Sequence, residues 1–217
     1  MQKEHLNYYR FKIRLSEAPL PIWRRLIVRC DVPLGLFHEM LQIVMGWDES
    51  LEYRFVIAGS RYTDYDQDWK PSKGDRDAAN YSLFSLMANP GQGFQYQYGP
   101  WAHHVTFEWI DREAAKIGGP HAYCFSGKRA CPPECLSGVD EYAEFVEALE
   151  DDLYPHRDEL LGKINYMFDP QAFDVRQVNR RLIQLSVELD QVEKDLIARR
   201  KKNKLVVLRP KECQITE

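Results

Sequence analysis

The feature that most narrows the fold is a run of seven aliphatic residues near the C-terminus: Val175, Val178, Leu182, Leu185, Leu189, Val192 and Leu196. Their alternating three- and four-residue spacing is one stripe along a helix. Asp174 stands where such a helix takes its N-cap, and Gln177 completes a capping-box pattern. A helix from there to Lys202 is about 42 Å long at ~1.5 Å per residue. A small domain does not easily cover that length. Two arrangements follow: a coiled-coil seam that joins two copies as a homodimer, or a long helix laid across its own domain.

Upstream, the period changes to two. Tyr9, Phe11, Ile13 and Leu15 alternate with Tyr8, Arg10, Lys12 and Arg14, the mark of a half-buried strand. Two prolines in Glu17–Pro21 interrupt it, and Ile22–Arg29 reads as a second, antiparallel strand. A helix follows, with Pro33 in its first turn, a stripe of Leu34, Phe37, Leu41 and Val44, and Gly46 at its stop. Gly59-Ser60 marks a hairpin between Tyr53–Ala58 and Arg61–Thr63. Phe94–Tyr98 and His104–Ile110 read as strands around Gly99-Pro100, and Tyr65–Ala79 as a polar loop. Val139–Glu150 and Arg157–Ile164 read as helices, and Leu205–Leu208 as a last strand. With 217 residues, 44% of them hydrophobic, the chain can build a core without disulfide or metal.

Charge excludes less than it first indicates. The net charge is −4, unlike a dedicated DNA-binding domain. It is polarised, however: residues 139–160 hold nine acids against one arginine, and 194–211 hold eight bases against one aspartate. Two solvated helix faces account for this; a basic tail for nucleic acid is the sharper reading. Met1–Tyr9 is polar with no apolar stretch behind it, and no run approaches the ~20 apolar residues of a membrane span. The expected compartment is therefore the cytoplasm, where the five cysteines read as metal ligands or free thiols before disulfides.

His121-x2-Cys124-x6-Cys131-x3-Cys135 is the candidate metal loop. Two short knuckles close together suit tetrahedral, structural zinc, since soft thiolates need a cation to offset their charge. The competing reading is free thiols behaving as small hydrophobes. Trp101 and His103 are candidate cleft residues; His104, one step along the strand, points to the opposite face. Asp64, Asp66 and Asp68 begin like a calcium loop, but Trp69 and Asp75 occupy the positions that need Gly and Glu. Phosphate loops, dinucleotide fingerprints, His-Glu-x-x-His and nucleophile elbows are missing.

Several motifs carry a resemblance. Pro21-Ile22-Trp23-Arg24-Arg25, the helix ending in Gly46-Trp47-Asp48, and Phe94-x-Tyr96-x-Tyr98-Gly99 with Trp101-x-His103 come first. Gly127-Lys128-Arg129-Ala130-Cys131-Pro132-Pro133-Glu134 and Phe168-Asp169-Pro170-x-x-Phe173-Asp174 with Val178–Leu182 come after. Over about residues 8–182 the chain resembles the plasmid pRiA4b ORF-3-like family. Relatives typically carry an Asp-Phe-Gly-Asp turn and a His after Trp-Asp; here stand Gln97-Tyr98-Gly99-Pro100 and Leu51-Glu52-Tyr53.

The resemblance implies an α+β fold: a mixed, mostly antiparallel sheet with helices packed on it, plus the long C-terminal helix. Residues 1–182 would form that domain, and 183–217 a helical extension and basic tail. It implies no established activity. Some relatives are labelled passenger proteins of insertion elements, but no recombinase signature stands here. The expected function is a non-enzymatic binding or adaptor module. The alternatives are a nucleic-acid accessory protein using the tail and a metal-dependent enzyme around His103.

Overall fold

Alternating apolar and polar residues build one sheet whose two faces differ in kind. The computed structural model describes residues 7–65, 72–117, 119–164 and 168–207. In chain order the strands are β1 (Tyr8–Leu15), β2 (Trp23–Arg29), β3 (Tyr53–Ile57), β4 (Ser60–Thr63), β5 (Asp75–Asp77), β6 (Gly93–Tyr98), β7 (Trp101–Asp111) and β8 (Ala122–Lys128). In space they run β5-β4-β3-β6-β7-β1-β2-β8. All neighbours are antiparallel except β4 and β5. The helices are α1 (Leu34–Met45), α2 (Leu83–Leu86), α3 (Arg112–Ile117), α4 (Val139–Glu150), α5 (Arg157–Gly162) and α6 (Val175–Val207). The protein is thus α+β, as expected.

One face of the sheet is covered. Phe11, Ile13, Leu26, Val28, Val105 and Phe107 are buried there. The α1 stripe lands on this layer, with Phe37 5.3 Å from Phe11 and 5.9 Å from Phe55 between ring centroids. Such offset ring contacts add to the area they bury. Pro33 precedes the helix with φ −65°, and Gly46 ends it at φ 85°, where a side chain would be strained. The other face carries the polar half of each alternation and stays open to solvent, from Arg14 on β1 to His104 on β7 and Gln95 on β6.

α6 runs unbroken across residues 182 and 183. Asp174 Oδ1 accepts hydrogen bonds from the N–H groups of Arg176 (2.8 Å) and Gln177 (3.2 Å), which hold its carboxyl below the usual range. The first part of the helix lies along edge strand β8. Asn179 accepts from the Cys124 N–H at 2.8 Å and donates to its carbonyl at 2.7 Å. Ser186 Oγ accepts from the His121 N–H at 3.0 Å. Leu182 is buried, and Val175, Val178, Leu185 and Leu189 are half-buried. Val192 and Leu196 remain 57% and 50% exposed. The proximal stripe therefore packs on its own domain and the distal stripe does not.

Some elements differ from expectation. Ala122–Lys128, read as part of a cysteine loop, is a strand. Its alternation of buried Ala122 and Cys124 with outward Tyr123 and Phe125 was the available signal. Leu205–Val207 continue α6 instead of forming a strand, because nothing stops the helix before them; Leu208 lies outside the described residues. β5 and α3 carry no strong periodic signal and were not anticipated. Among the described residues no helix is long and apolar enough to cross a membrane.

Candidate functional site

The motifs separated in sequence meet behind the covered face, around Arg24. Arg24 is in phase with Leu26 and Val28, so its side chain enters the core and is 1% exposed. Its guanidinium donates to the carbonyls of Val44 (2.7 Å), Trp23 (2.9 Å), Lys128 (2.9 Å) and Arg129 (2.8 Å), and to Cys131 Sγ (3.3 Å). Phe173 lies over it, 4.0 Å from ring centroid to guanidinium carbon. Gly127 makes room for this pair: a Cβ there would stand 2.5 Å from the Phe173 ring and 2.9 Å from Arg24 Cδ. One arginine thus ties α1, β2, the Cys-Pro-Pro-Glu loop and the approach to α6 together.

The same loop is latched a second time. Trp47 Nε1 donates to the Pro132 carbonyl at 2.8 Å, and the Asp48 N–H donates to Glu134 Oε1 at 3.2 Å. The Tyr98 hydroxyl also donates to Glu134 Oε1. Burial, then that carboxylate, pushes the Tyr98 hydroxyl up to about 12, so it is a fixed donor at neutral pH. Gly99 lies in the turn between β6 and β7; Leu51 covers it, and a Cβ on Gly99 would stand 2.6 Å from Leu51 Cδ1.

The expected cleft residues are buried. Trp101 is 0% exposed and His103 1%. His103 Nδ1 lies 3.2 Å from the Tyr96 carbonyl, which makes Nδ1 the protonated nitrogen. Burial lowers His103 to about 4. His38 was not singled out by sequence, yet it sits in the same layer, stacked on Tyr53 at 3.7 Å. The Tyr96 hydroxyl accepts from Gln42 Nε2 and stands 2.8 Å from His38 Nδ1, so it donates to a neutral imidazole. Burial lowers His38 to about 3. His103 supports the core, whereas His38 and Tyr53 also line an open cavity of about 380 Å³ with Glu39, Glu49 and Asp64.

The four candidate metal ligands do not converge. Cys124 is inside β8, and burial raises its thiol to about 11. Cys131 faces Arg24 and Met45, and burial raises its thiol too. Cys135 is exposed near the Lys163 carbonyl. His121 Nε2 stands 2.8 Å from Arg29 Nη1 and 3.9 Å from Asp190. Among the described residues no three His, Cys, Asp or Glu side chains form a metal-binding group. Of the calcium-like triplet, Asp66 and Asp68 lie outside the described residues, as does Cys213.

The accessible chemistry is on the open face, which sequence reasoning passed over. Cross-strand register sets its rows. Tyr123, Ile27, Arg10 and Trp109 lie side by side across β8, β2, β1 and β7. Ser126, Arg25, Lys12 and Thr106 form the next row; Lys128, Trp23, Arg14 and His104 form the third. Cations rest on rings: Arg10 lies 4.6 Å from Trp109 and 5.0 Å from Phe125, Arg25 5.6 Å and Lys12 5.9 Å from Trp23. Asp111 binds Arg10, and Glu108 binds Arg25 at 3.0 Å. Lys12 and Arg14 form no ion pair among the described residues. A groove of about 770 Å³ opens at the first row, between Arg10, Ile27, Trp109 and the start of α3.

Comparison with known proteins agrees with this architecture. The crystal structure of a protein of unknown function, MM3350 from Methanosarcina mazei Go1, superposes with a TM-score of 0.68 over 79% of this chain and 97% of that one, at 24% identity. The uncharacterized protein y4hQ of Sinorhizobium fredii (strain NBRC 101917 / NGR234) is 30% identical over 186 residues, 82% of this chain and 92% of the relative. The family model described as plasmid pRiA4b ORF-3-like protein matches residues 7–177, from β1 into α6. The chain belongs to the plasmid pRiA4b ORF-3-like family.

Proposed function

We propose that this protein is a non-enzymatic binding module whose ligand surface is the open face of the sheet. The observation that carries the reading is the contrast in how polar groups are used. On the covered side, Arg24 and Gln42 are spent on internal hydrogen bonds, and His103 is sealed in the core. On the open side, Lys12 and Arg14 face solvent beside half-exposed rings in a chain of net charge −4. A local cationic surface on an acidic protein suits an anionic partner and steers its approach. The test is retention on immobilised heparin at low salt. The protein is expected to bind, and the Lys12→Glu, Arg14→Glu double variant to lose binding while keeping its melting temperature. Equal retention of the two proteins would refute the assignment.

Self-association through α6 is a second reading, favoured by the exposed Val192 and Leu196 beyond the packed part of the stripe. Sedimentation equilibrium at micromolar concentration is expected to give a dimer, and Val192→Lys with Leu196→Lys a monomer. A wild-type monomer would remove it.

A further inference from the structure

We infer that the open face binds single-stranded nucleic acid, with phosphates along a central cationic row and bases stacked on the rings beside it. This rests on the reading of that face as the ligand surface and names its ligand.

The geometry supplies the argument. The row containing Arg25 and Lys12 crosses four adjacent strands, a track of roughly 14 Å at ~4.8 Å per strand. The rows on either side each carry aromatic residues, Tyr123 and Trp109 on one and Trp23 on the other. Successive rows are about 7 Å apart, since alternate residues of a strand share a face. Trp109 and Tyr123 are each 44% exposed, so part of each ring is open to a ligand. Cations stand in all three rows while the rings stand only in the outer two, which matches a strand whose phosphates track the middle of the face and whose bases reach the flanks.

An acidic polypeptide would use the charges but has no bases to stack on the rings. A duplex would use the charges too, but its bases are already stacked within it. Sheet faces that bind single strands combine these two elements: a positive track for the backbone and aromatic faces for the bases. The guanidinium of Arg10 rests between Trp109 and Phe125 with its edge on Asp111, and so fixes the ring of Trp109 in place. Glu108 and Asp111 lie beside Arg25 and Arg10 and limit the charge of the track.

The experiment is fluorescence anisotropy of a labelled twelve-residue oligo(dT), competed with an oligodeoxyribose phosphate that lacks bases, with heparin, and with a duplex of the same length. Oligo(dT) is expected to compete best. Trp109→Ala is expected to weaken it roughly tenfold, Trp109→Tyr to restore most of the affinity, and the salt slope to stay nearly unchanged. Lys12→Glu with Arg14→Glu is expected to flatten that slope. If the base-free chain, heparin and oligo(dT) compete equally and Trp109→Ala changes nothing, the surface reading stands and the single-strand inference falls. If the folded protein binds none of the four, both fall. Thermal melts of each variant establish that it is folded.

Discussion

Arg24 and Arg25 are consecutive residues of β2, yet they belong to different environments. Arg24 points inward and spends its guanidinium on four carbonyls and a thiol. Arg25 points outward, meets Glu108 and lies beside Trp23. The difference is one step of the pleat. It shows that Trp23-Arg24-Arg25 joins two separate environments: the first arginine organises the interior, and the second stands on the open face. The same division separates His103 from His104, one sealed in the core and the other exposed on the open face.

The largest effect should come from removing the inward arginine. Arg24→Ala leaves buried carbonyls unpaired and a void beneath Phe173, at a cost of about 3 kcal/mol or more. Arg25→Ala, one residue away, should change stability by less than about 1 kcal/mol, because its ion pair is partly exposed. Denaturant unfolding of the two variants compares the faces directly. Equal losses would mean that the face assignment of β2 is wrong.

The next effect is on pH dependence. His38 and His103 are lowered in the folded protein to about 3 and about 4, from an ordinary value of 6.5. Unfolded imidazoles therefore take up protons in a range where folded ones do not. Stability should fall as pH drops below about 6.5 and continue to fall towards pH 4, by at most about 1.4 kcal/mol per histidine per pH unit. In His38→Gln the slope between pH 6 and 4 should be shallower than in the parent. A parent slope unchanged by both His38→Gln and His103→Gln would show that neither imidazole is buried neutral.

The smallest effect is chemical. Cys135 is exposed, whereas Cys124 and Cys131 are buried with raised thiol values. A thiol reagent at neutral pH should modify Cys135 quickly, and the other two only as the protein unfolds. Peptide mapping after brief labelling distinguishes them. Fast labelling of Cys124 would contradict its place in β8.

Much of this architecture was legible in the residues. Period two marked β1, the proline break set off β2, Gly59-Ser60 marked the β3–β4 hairpin, and the α1 stripe of Leu34, Phe37, Leu41 and Val44 is buried throughout. Asp174 and Gly46 mark helix ends through local chemistry, which requires no tertiary information. β8 was obscured because cysteine spacing drew attention away from its alternation. The inward course of Arg24 was in principle readable from its phase with Leu26 and Val28, but two adjacent arginines look like a solvated pair. The rows of the open face were readable only in part. Arg10, Lys12 and Arg14 are visible as one side of β1, with Trp23 in unbroken register on β2, but Trp109 and Tyr123 come from strands whose register depends on bulges at Arg10/Phe11 and Arg25/Leu26.

The two hydrogen bonds of Asn179 have a consequence beyond holding α6. A terminal strand offers free N–H and C=O groups to any passing chain, which is how folded sheets recruit one another into aggregates. Here a helix side chain occupies the Cys124 pair as an adjoining strand would, and Ser186 takes His121 beside it. At the opposite border, β5 is only three residues long. α6 therefore acts as a guard against strand addition. Cutting the chain before Asn179 would turn a covered border into a template for polymerisation.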